Sequence, residues 1–206
     1  MKYRLTDETI KVGEVILHRI ECVEAFADVK AGDKGGWIEK ERNLSQTDNA
    51  WVYGDAQVFG CAEVKGNAKV FEHVAVFGSA QVWGSAQVWG NARVYDNAKV
   101  FGDASVYDYA VVYDCAQIYD CAVVNGYAVV KGNAEISKIS DYIVFKNNFS
   151  SGRYFTWTRS NNMWQVGCFH GTGEQLIEKA RKDNEDKAKC YALYVKLVED
   201  LQKVEL

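Results

Sequence analysis

The sequence contains no proline among its 206 residues. Its tight turns must therefore come from glycine, asparagine and aspartate, which adopt the backbone conformations that such turns require. Glycine is common, with 17 copies, and it recurs at regular intervals through the middle of the chain. This regular spacing is the first sign of an internal repeat.

Signatures of metal sites and disulfide frameworks are also missing. The six cysteines form no CxxC pair and have no histidine at ligand spacing, so neither a zinc site nor a disulfide framework is indicated. We expect reduced thiols and no cofactor. The cysteines are Cys22, Cys61, Cys115, Cys121, Cys168 and Cys190.

Long apolar segments are absent as well. The segment from Met1 to Arg19 is mixed and polar, unlike a secretory signal or a bilayer-spanning helix. The net charge of -4 argues against binding to a phosphate backbone. We therefore expect a soluble, cytoplasmic protein with no membrane partner and no nucleic-acid partner.

The dominant feature that is present is a six-residue repeat, which runs from Val52 to Ile136 without insertion. Every sixth residue is Val or Ile, through fifteen registers, and an alanine stands four residues after each of the first fourteen except at Val74. Each unit reads Ala-x-Val-x followed by two corner residues, so alternation sends Ala and Val to one face. Short strands broken by a tight corner every six residues wind into a solenoid.

This pattern resembles the hexapeptide-repeat family, whose units carry an aliphatic residue at the first position and a small residue at the fifth. The resemblance implies a mainly β fold, a left-handed parallel β-helix of about five coils with three hexads per coil, in a homotrimer. In that family the glycine commonly follows the aliphatic residue directly, whereas here it comes one place later, as at Gly54 and Gly60. This departure sets the chain apart from the acyltransferase members.

Three hexads per coil place residues 18 apart side by side and define three outer faces. The first face includes Lys69 and Phe71, the second Gln57 and Phe59, and the third Glu63 and Lys65. Each face carries an aromatic ladder, which we interpret as a sheet stabiliser in preference to a platform for bases. The second face adds further apolar residues, so we expect another subunit or the C-terminal helices to cover it. The added residues are Ala75, Val111 and Val129.

Two positions in the repeat are candidates for chemistry. His73 is the general base if the chain is an acyltransferase, but no projecting loop or second catalytic group accompanies it, so we favour a surface corner. Asp96 and Asp114 should be stacked neighbours. They are weak candidates for a divalent cation site, and solvated turn residues are the favoured alternative.

The segments on either side of the repeat follow different patterns. Residues 1–50 predict an N-terminal β cap, with strands at Val15–Ile20 and Val23–Val29 and a turn at Ala31–Gly36. Residues 51–140 form the β-helix and residues 141–206 a C-terminal α+β module. In that module we expect a strand, a β-hairpin and two helices; the strands are Tyr142–Phe145, Tyr154–Thr158 and Met163–Val166.

The C-terminal module is where we expect a ligand. Thr172 and Gln175 form a capping box at a glycine-flanked helix N-terminus, which suits a phosphate or a carboxylate. Arginine and histidine add charge and tryptophan offers a stacking surface, although the tryptophans also suit the core of a small module. The candidate ligand-binding residues are Arg153, Trp157, Arg159, Trp164, His170, Gly171, Thr172 and Gly173.

Most of the chain also resembles uncharacterised proteins of bacteriophages and prophages, through its hexad register, its Trp-rich hairpin and the Gly-Cys-Phe-His-Gly-Thr-Gly sequence of residues 167–173. The resemblance assigns no chemistry, but small phage oligomers can sequester host defence signals. The favoured hypothesis is a non-catalytic, trimeric protein that binds a nucleotide-like small molecule in the host cytoplasm. The alternatives are an acyltransferase working from His73 and a scaffold that binds proteins through its second face.

Overall fold

The computed structural model describes residues 1–204. The chain divides into two compact units, Met1–Asp141 and Tyr142–Leu206, and each is described by itself. Within residues 1–204 no helix has the length and apolar character needed to span a membrane.

The first unit is a β-solenoid built from the six-residue repeat. Its strands form three parallel sheets: two have five strands each, and the third has six parallel strands because β3 (Lys34–Ile38) joins it. The predicted solenoid of about five coils is therefore confirmed. The two-residue strands β4 to β18 are Trp51–Val52, Gln57–Val58, Glu63–Val64, Lys69–Val70, Ala75–Val76, Gln81–Val82, Gln87–Val88, Arg93–Val94, Lys99–Val100, Ser105–Val106, Val111–Val112, Gln117–Ile118, Val123–Val124, Val129–Val130 and Glu135–Ile136.

The predicted register of 18 residues per coil is also confirmed. Val70 pairs with Val88, and Val88 with Val106, in parallel ladders. Each backbone N–H donates to the carbonyl 17 residues later, as from Lys69 to Ala86 at 3.0 Å. The repeated Ala and Val side chains are fully buried, because alternation directs them inward, and they make up the interior of the coil.

The corners between strands require left-handed backbone. Glycine supplies this conformation at most corners, and Asp108, with φ of 59°, supplies it at one of the others. Space is limited too, since a Cβ added at Gly90 would lie 2.8 Å from the Asp108 nitrogen of the next coil. These two demands explain the regular glycines of the repeat.

The N-terminal region differs from the prediction in three places. Strand β1 (Tyr3–Val12) was not predicted, and β2 (Val15–Cys22) pairs with it in antiparallel fashion. The predicted strand at Val23–Val29 is wrong, because only one isolated bridge, between Phe26 and Val29, forms there. The predicted turn at Ala31–Gly36 is wrong at its end, since Gly35 and Gly36 lie within β3.

The paired glycines serve close packing of β3 on the first coil. A Cβ added at Gly35 would lie 2.6 Å from the Val52 carbonyl oxygen, and one at Gly36 would lie 2.6 Å from the Ala56 carbonyl oxygen. Only glycine allows this approach. A pair of glycines read as a turn therefore marks a strand that touches another backbone.

Three side chains of the N-terminal region bond to corner carbonyls of the first coil. Lys2 Nζ donates to the carbonyl oxygens of Asp48 at 2.9 Å and Ala50 at 2.8 Å. Arg19 donates to Gly54 at 2.6 Å, and the Asn43 amide donates to Ala62 at 2.8 Å. These bonds satisfy carbonyl groups that no earlier coil reaches.

The second unit is a four-stranded antiparallel sheet with two helices. The sheet order is β19 (Tyr142–Lys146), β20 (Tyr154–Thr158), β21 (Met163–Val166) and β22 (Phe169–Gly171). Helices α1 (Gly173–Asp183) and α2 (Glu185–Gln202) follow. The hairpin, the helices and the Thr172–Gln175 capping box are confirmed, whereas β22 was not predicted as a strand. The core of the unit comprises Phe155, Trp157, Trp164, Val166, Leu176, Ala180, Ala188, Tyr191, Val195 and Val198.

Candidate functional site

A cleft of about 260 Å³ opens in the second unit between the β20–β21 hairpin, the start of α1 and the C-terminal half of α2. Its walls combine aromatic, aliphatic and acidic side chains with the exposed start of a helix. The lining residues are Trp157, Asn162, Trp164, Thr172, Gly173, Glu174, Val195, Val198 and Glu199.

Trp164 places an unpaired hydrogen-bond donor at this cleft. Its ring is only 2% exposed and lies with its centroid 6.4 Å from the rings of Phe145 and Phe155. Its Nε1 lies at the Gly173 side of the cleft, 3.4 Å from where a Cβ on that glycine would stand. In the part of the chain that the structure describes, this N–H has no acceptor. An unpaired donor on a buried side chain is costly, so the cleft presents a donor that a ligand can satisfy.

The N-terminus of α1 adds backbone donors beside Trp164. The capping box pairs the Gln175 N–H with Thr172 Oγ1 at 3.3 Å and the Thr172 N–H with Gln175 Oε1 at 2.9 Å. It leaves the N–H groups of Gly173 and Glu174, the first two helical residues, at the positive end of the helix dipole. Glycine is needed here, because a Cβ at Gly173 would lie 2.6 Å from Val195 Cγ1.

The charged side chains of the cleft are acidic. Glu174 stands on the first turn of α1 and Glu199 on α2, and neither Lys nor Arg is among the described residues that line the cleft. The cleft therefore offers donors on one side and carboxylates beside them. This combination suits a ligand that carries both an acceptor and a positive charge.

Four of the eight candidate residues meet at the cleft: Trp157, Trp164, Thr172 and Gly173. The two tryptophans belong to the core as well, as the alternative interpretation proposed. Trp157 is 1% exposed, and its Nε1 donates to Asn162 Oδ1 at 2.9 Å. The tryptophans thus present ring edges and one N–H to a ligand, and their faces are packed.

The other four candidates lie away from the cleft. Arg153 lines a separate cavity of about 50 Å³ with Asp183 and Lys187, where the hydrogen bond from Lys187 lowers the pKa of the Asp183 carboxyl. Arg159 is exposed in the turn after β20. His170 is exposed and Gly171 is buried in β22.

Sequence reasoning missed two cleft residues, Asn162 and Glu199. Asn162 has φ of 51°, a conformation that asparagine tolerates in turns, so its role in the hairpin turn was detectable. Glu199 comes one turn after Val195 on α2. Its place at the cleft depends on how α2 packs, which periodicity alone does not determine.

His73 lies at an exposed corner of the solenoid. Its backbone N–H donates to the Gly90 carbonyl at 2.9 Å, as other corner residues do. Asp55, its neighbour one coil earlier, forms an ion pair with Arg19 at 3.7 Å. The corner geometry is that of the regular repeat.

Asp96 and Asp114 occupy left-handed corner positions, with φ of 56° and 58°. They share an open groove of about 620 Å³ along one column of corners. Asp114 Oδ2 accepts from the Gly132 N–H at 3.1 Å and lies 3.9 Å from Lys131 Nζ. Among residues 1–204 no group of three or more His, Cys, Asp or Glu side chains is arranged to hold a metal ion.

The aromatic ladders stack within themselves. Phe77 and Tyr95 lie 4.8 Å apart with an interplanar angle of 4°, and Trp89 and Tyr107 lie 4.3 Å apart at 6°. Because each inner ring is stacked on both sides, a ligand meets ring edges along the ladder. This geometry supports the structural interpretation of the ladders.

Comparison with known proteins places the repeat in a family context. Residues 86–100 match the YdcK beta solenoid repeat. Over 60 residues the chain is 38% identical to the uncharacterized acetyltransferase YdcK of Escherichia coli strain K12. That similarity covers 25% of this chain and 18% of the relative, so it concerns the solenoid repeat and leaves most of both proteins unmatched.

Proposed function

We propose that this chain is a non-catalytic small-molecule-binding protein, in which the solenoid is a rigid scaffold and the cleft of the second unit is the binding site. The observation that carries the proposal is the unpaired Trp164 N–H beside the N-terminus of α1. Binding needs a concave surface with a few convergent polar groups, and the cleft has both.

The composition of the cleft favours a small polar ligand over a nucleotide. Its volume of about 260 Å³ lies below the roughly 300–1,000 Å³ typical of drug-sized ligand sites. Glu174 and Glu199 repel a phosphate, and Arg153 and Arg159 lie elsewhere. Sequestration of a nucleotide-like phage-defence signal is therefore the less favoured form of the proposal.

The binding experiment uses the full chain and a library of metabolites and mononucleotides, with the unfolding temperature as the readout. A ligand that binds only the folded state raises this temperature. Trp164→Phe removes the N–H and keeps most of the ring, so we expect it to abolish the shift. Trp89→Phe, on an aromatic ladder of the solenoid, is the matched control and should retain it.

The bound compound is then released by denaturing the protein and is identified by mass spectrometry. Recovery of the intact compound supports sequestration. Recovery of a converted product contradicts a non-catalytic role, and a library without any stabilising compound contradicts ligand binding in this cleft.

We also propose that the chain forms a homotrimer through the second face. Val111 and Val129 point outward there, and exposed apolar columns of this kind mark interfaces. Val111→Lys should shift the mass measured by sedimentation equilibrium from trimer to monomer. Ser105→Lys at the equivalent position of the first face should leave it unchanged, and a monomeric wild type contradicts the proposal.

Acyl transfer from His73 is the second candidate function. It is supported by the relative whose name includes acetyltransferase and by the resemblance to hexapeptide-repeat enzymes. The test is hydrolysis or transfer from acetyl-CoA in the presence of candidate amine acceptors. Full turnover by His73→Ala would remove this role for the histidine.

A further inference from the structure

We infer that the cleft binds a molecule in which an ammonium group lies next to a carbonyl or carboxylate group, as in a free amino acid or the first residue of a peptide. The inference rests on the proposed function, since it assigns a ligand class to the same cleft. Three properties of the cleft carry it: its donors, its charge and its size.

The donors define where an acceptor binds. Trp164 Nε1 has no acceptor within residues 1–204 and lies beside Gly173. The N–H groups of Gly173 and Glu174 belong to the first turn of α1, where the capping box takes only the Gln175 amide. A carboxylate or carbonyl oxygen accepts from donors of this kind, and the helix dipole favours negative charge at this point.

The carboxylates define what else the ligand carries. Glu174 and Glu199 line the same cleft, and the described lining residues include neither Lys nor Arg. A purely anionic ligand would meet the helix N-terminus and be repelled by both side chains. A ligand whose acceptor stands next to an ammonium group satisfies the donors and also pairs with a carboxylate.

The size and the walls limit the rest of the ligand. The cleft of about 260 Å³ accommodates a molecule of amino-acid size and leaves little room for a second large group. Val195 and Val198 form an aliphatic wall, against which a small apolar side chain packs favourably. The site therefore fits an α-amino acid with a short apolar side chain, or the N-terminal residue of a peptide with the chain leading out.

The experiment is calorimetric titration of the full chain with free L-amino acids, with their N-acetyl derivatives and with dipeptides. We expect at least one apolar amino acid or dipeptide to bind. Acetylation removes the ammonium group and should weaken binding about ten-fold or more, since hydrogen bonds to charged groups contribute roughly 1.5–3 kcal/mol. Comparison of amino acid with dipeptide distinguishes the two sources.

Two variants and one control test the assignment of side chains. Glu199→Gln should weaken the free amino acid about ten-fold and leave the acetylated derivative unchanged, because only the charged amine needs the carboxylate. Trp164→Phe should weaken both. Glu178→Gln, on the exposed side of α1 away from the cleft, should bind as the wild type does.

The outcomes separate the ligand class from the proposed function. If an acetylated derivative binds as tightly as its free amino acid and Trp164→Phe abolishes both, the ammonium assignment is overturned and binding in the cleft stands. If no amino acid or dipeptide binds, the ligand class is overturned, and the library screen decides the proposed function separately. Should Trp164→Phe fail to fold, Glu199→Gln, an exposed substitution, still decides the result.

Discussion

Asp108 and Gly126 stand one coil apart at the same corner of the solenoid, and the Asp108 carboxylate accepts a hydrogen bond of 3.2 Å from the Gly126 N–H. Glu72 makes the same bond to Gly90 at 2.8 Å, and Asp48 makes it to Gly66 at 2.6 Å. An acidic corner residue thus bridges to the glycine 18 positions later. This relationship gives the acidic corners a structural role and leads to the first prediction.

Replacing Asp108 should separate the two contributions of this corner. Asp108→Ala loses the bridging bond and places alanine at φ of 59°, which costs alanine about 1–2 kcal/mol. Asp108→Gly loses the bond but relieves the backbone, so its free energy of unfolding should stay close to that of the wild type. Urea denaturation measures both, and an alanine variant as stable as the glycine variant would contradict the account.

Gly36→Ala should destabilise the first unit because it pushes β3 away from the first coil. The new Cβ would meet the Ala56 carbonyl oxygen at 2.6 Å, and relief of such an overlap typically costs about 1–3 kcal/mol. Gly32→Ala is the control, since nothing lies within 4 Å of its Cβ position and only the backbone at φ of 88° is strained. A smaller loss for Gly36→Ala than for Gly32→Ala, measured by thermal unfolding, would refute the close-approach explanation.

Lys2→Met should lower the stability of the first unit by about 1–3 kcal/mol, because it leaves buried carbonyl oxygens without a donor. Lys2 is only 7% exposed and bonds to both Asp48 and Ala50. Lys11→Met, at an exposed ion pair with Glu14, should change stability little. Equal effects of the two substitutions on the urea midpoint would argue against a role for Lys2 in closing the coil.

Thr172→Ala should fray the first turn of α1 and cost about 1 kcal/mol, the usual value of an N-cap. Hydrogen exchange of the Gln175 amide, which donates to Thr172 Oγ1, should become faster, while amides near the end of α2 should be unaffected. Thr172→Ser keeps the oxygen and should keep the slow exchange. Fast exchange in the serine variant would show that the hydroxyl is not what protects this amide.

The repeat was predictable from sequence because its information is local. Each hexad carries its own inward Val and Ala and its own corner, so periodicity predicts both the strands and the register of 18, which the pairing of Val70 with Val88 confirms. The hairpin and the capping box of the second unit were equally local. The same reasoning identified the aromatic ladders before any geometry was known.

The N-terminal strands were harder to predict because their pattern is mixed. Strand β1 carries a polar run from Thr6 to Thr9, and the pairing register shifts between Leu5 and Thr9. Neither feature resembles regular alternation. Gly35 and Gly36 were misassigned because composition does not distinguish a glycine needed for a turn from one needed for close approach of two backbones.

The candidate site was predictable only in part. Trp157, Trp164, Thr172 and Gly173 lie on segments close together in sequence, and these segments meet at the cleft. Glu199 reaches the cleft through the packing of α2 on the sheet, and no short-range motif indicates it. Arg153 has the right charge for an anion but lies in a different cavity.

The ladder that joins each residue to the one 18 positions later makes chain length equivalent to rotation. Inserting one hexad into the repeat would keep every Val inside, yet it would turn all later strands by one face and break each aromatic column at that level. Inserting three hexads would restore every column and only lengthen the rod. Homologous solenoids that preserve their outer surfaces should therefore differ in length by multiples of 18 residues, the period seen in the pairing of Val88 with Val106.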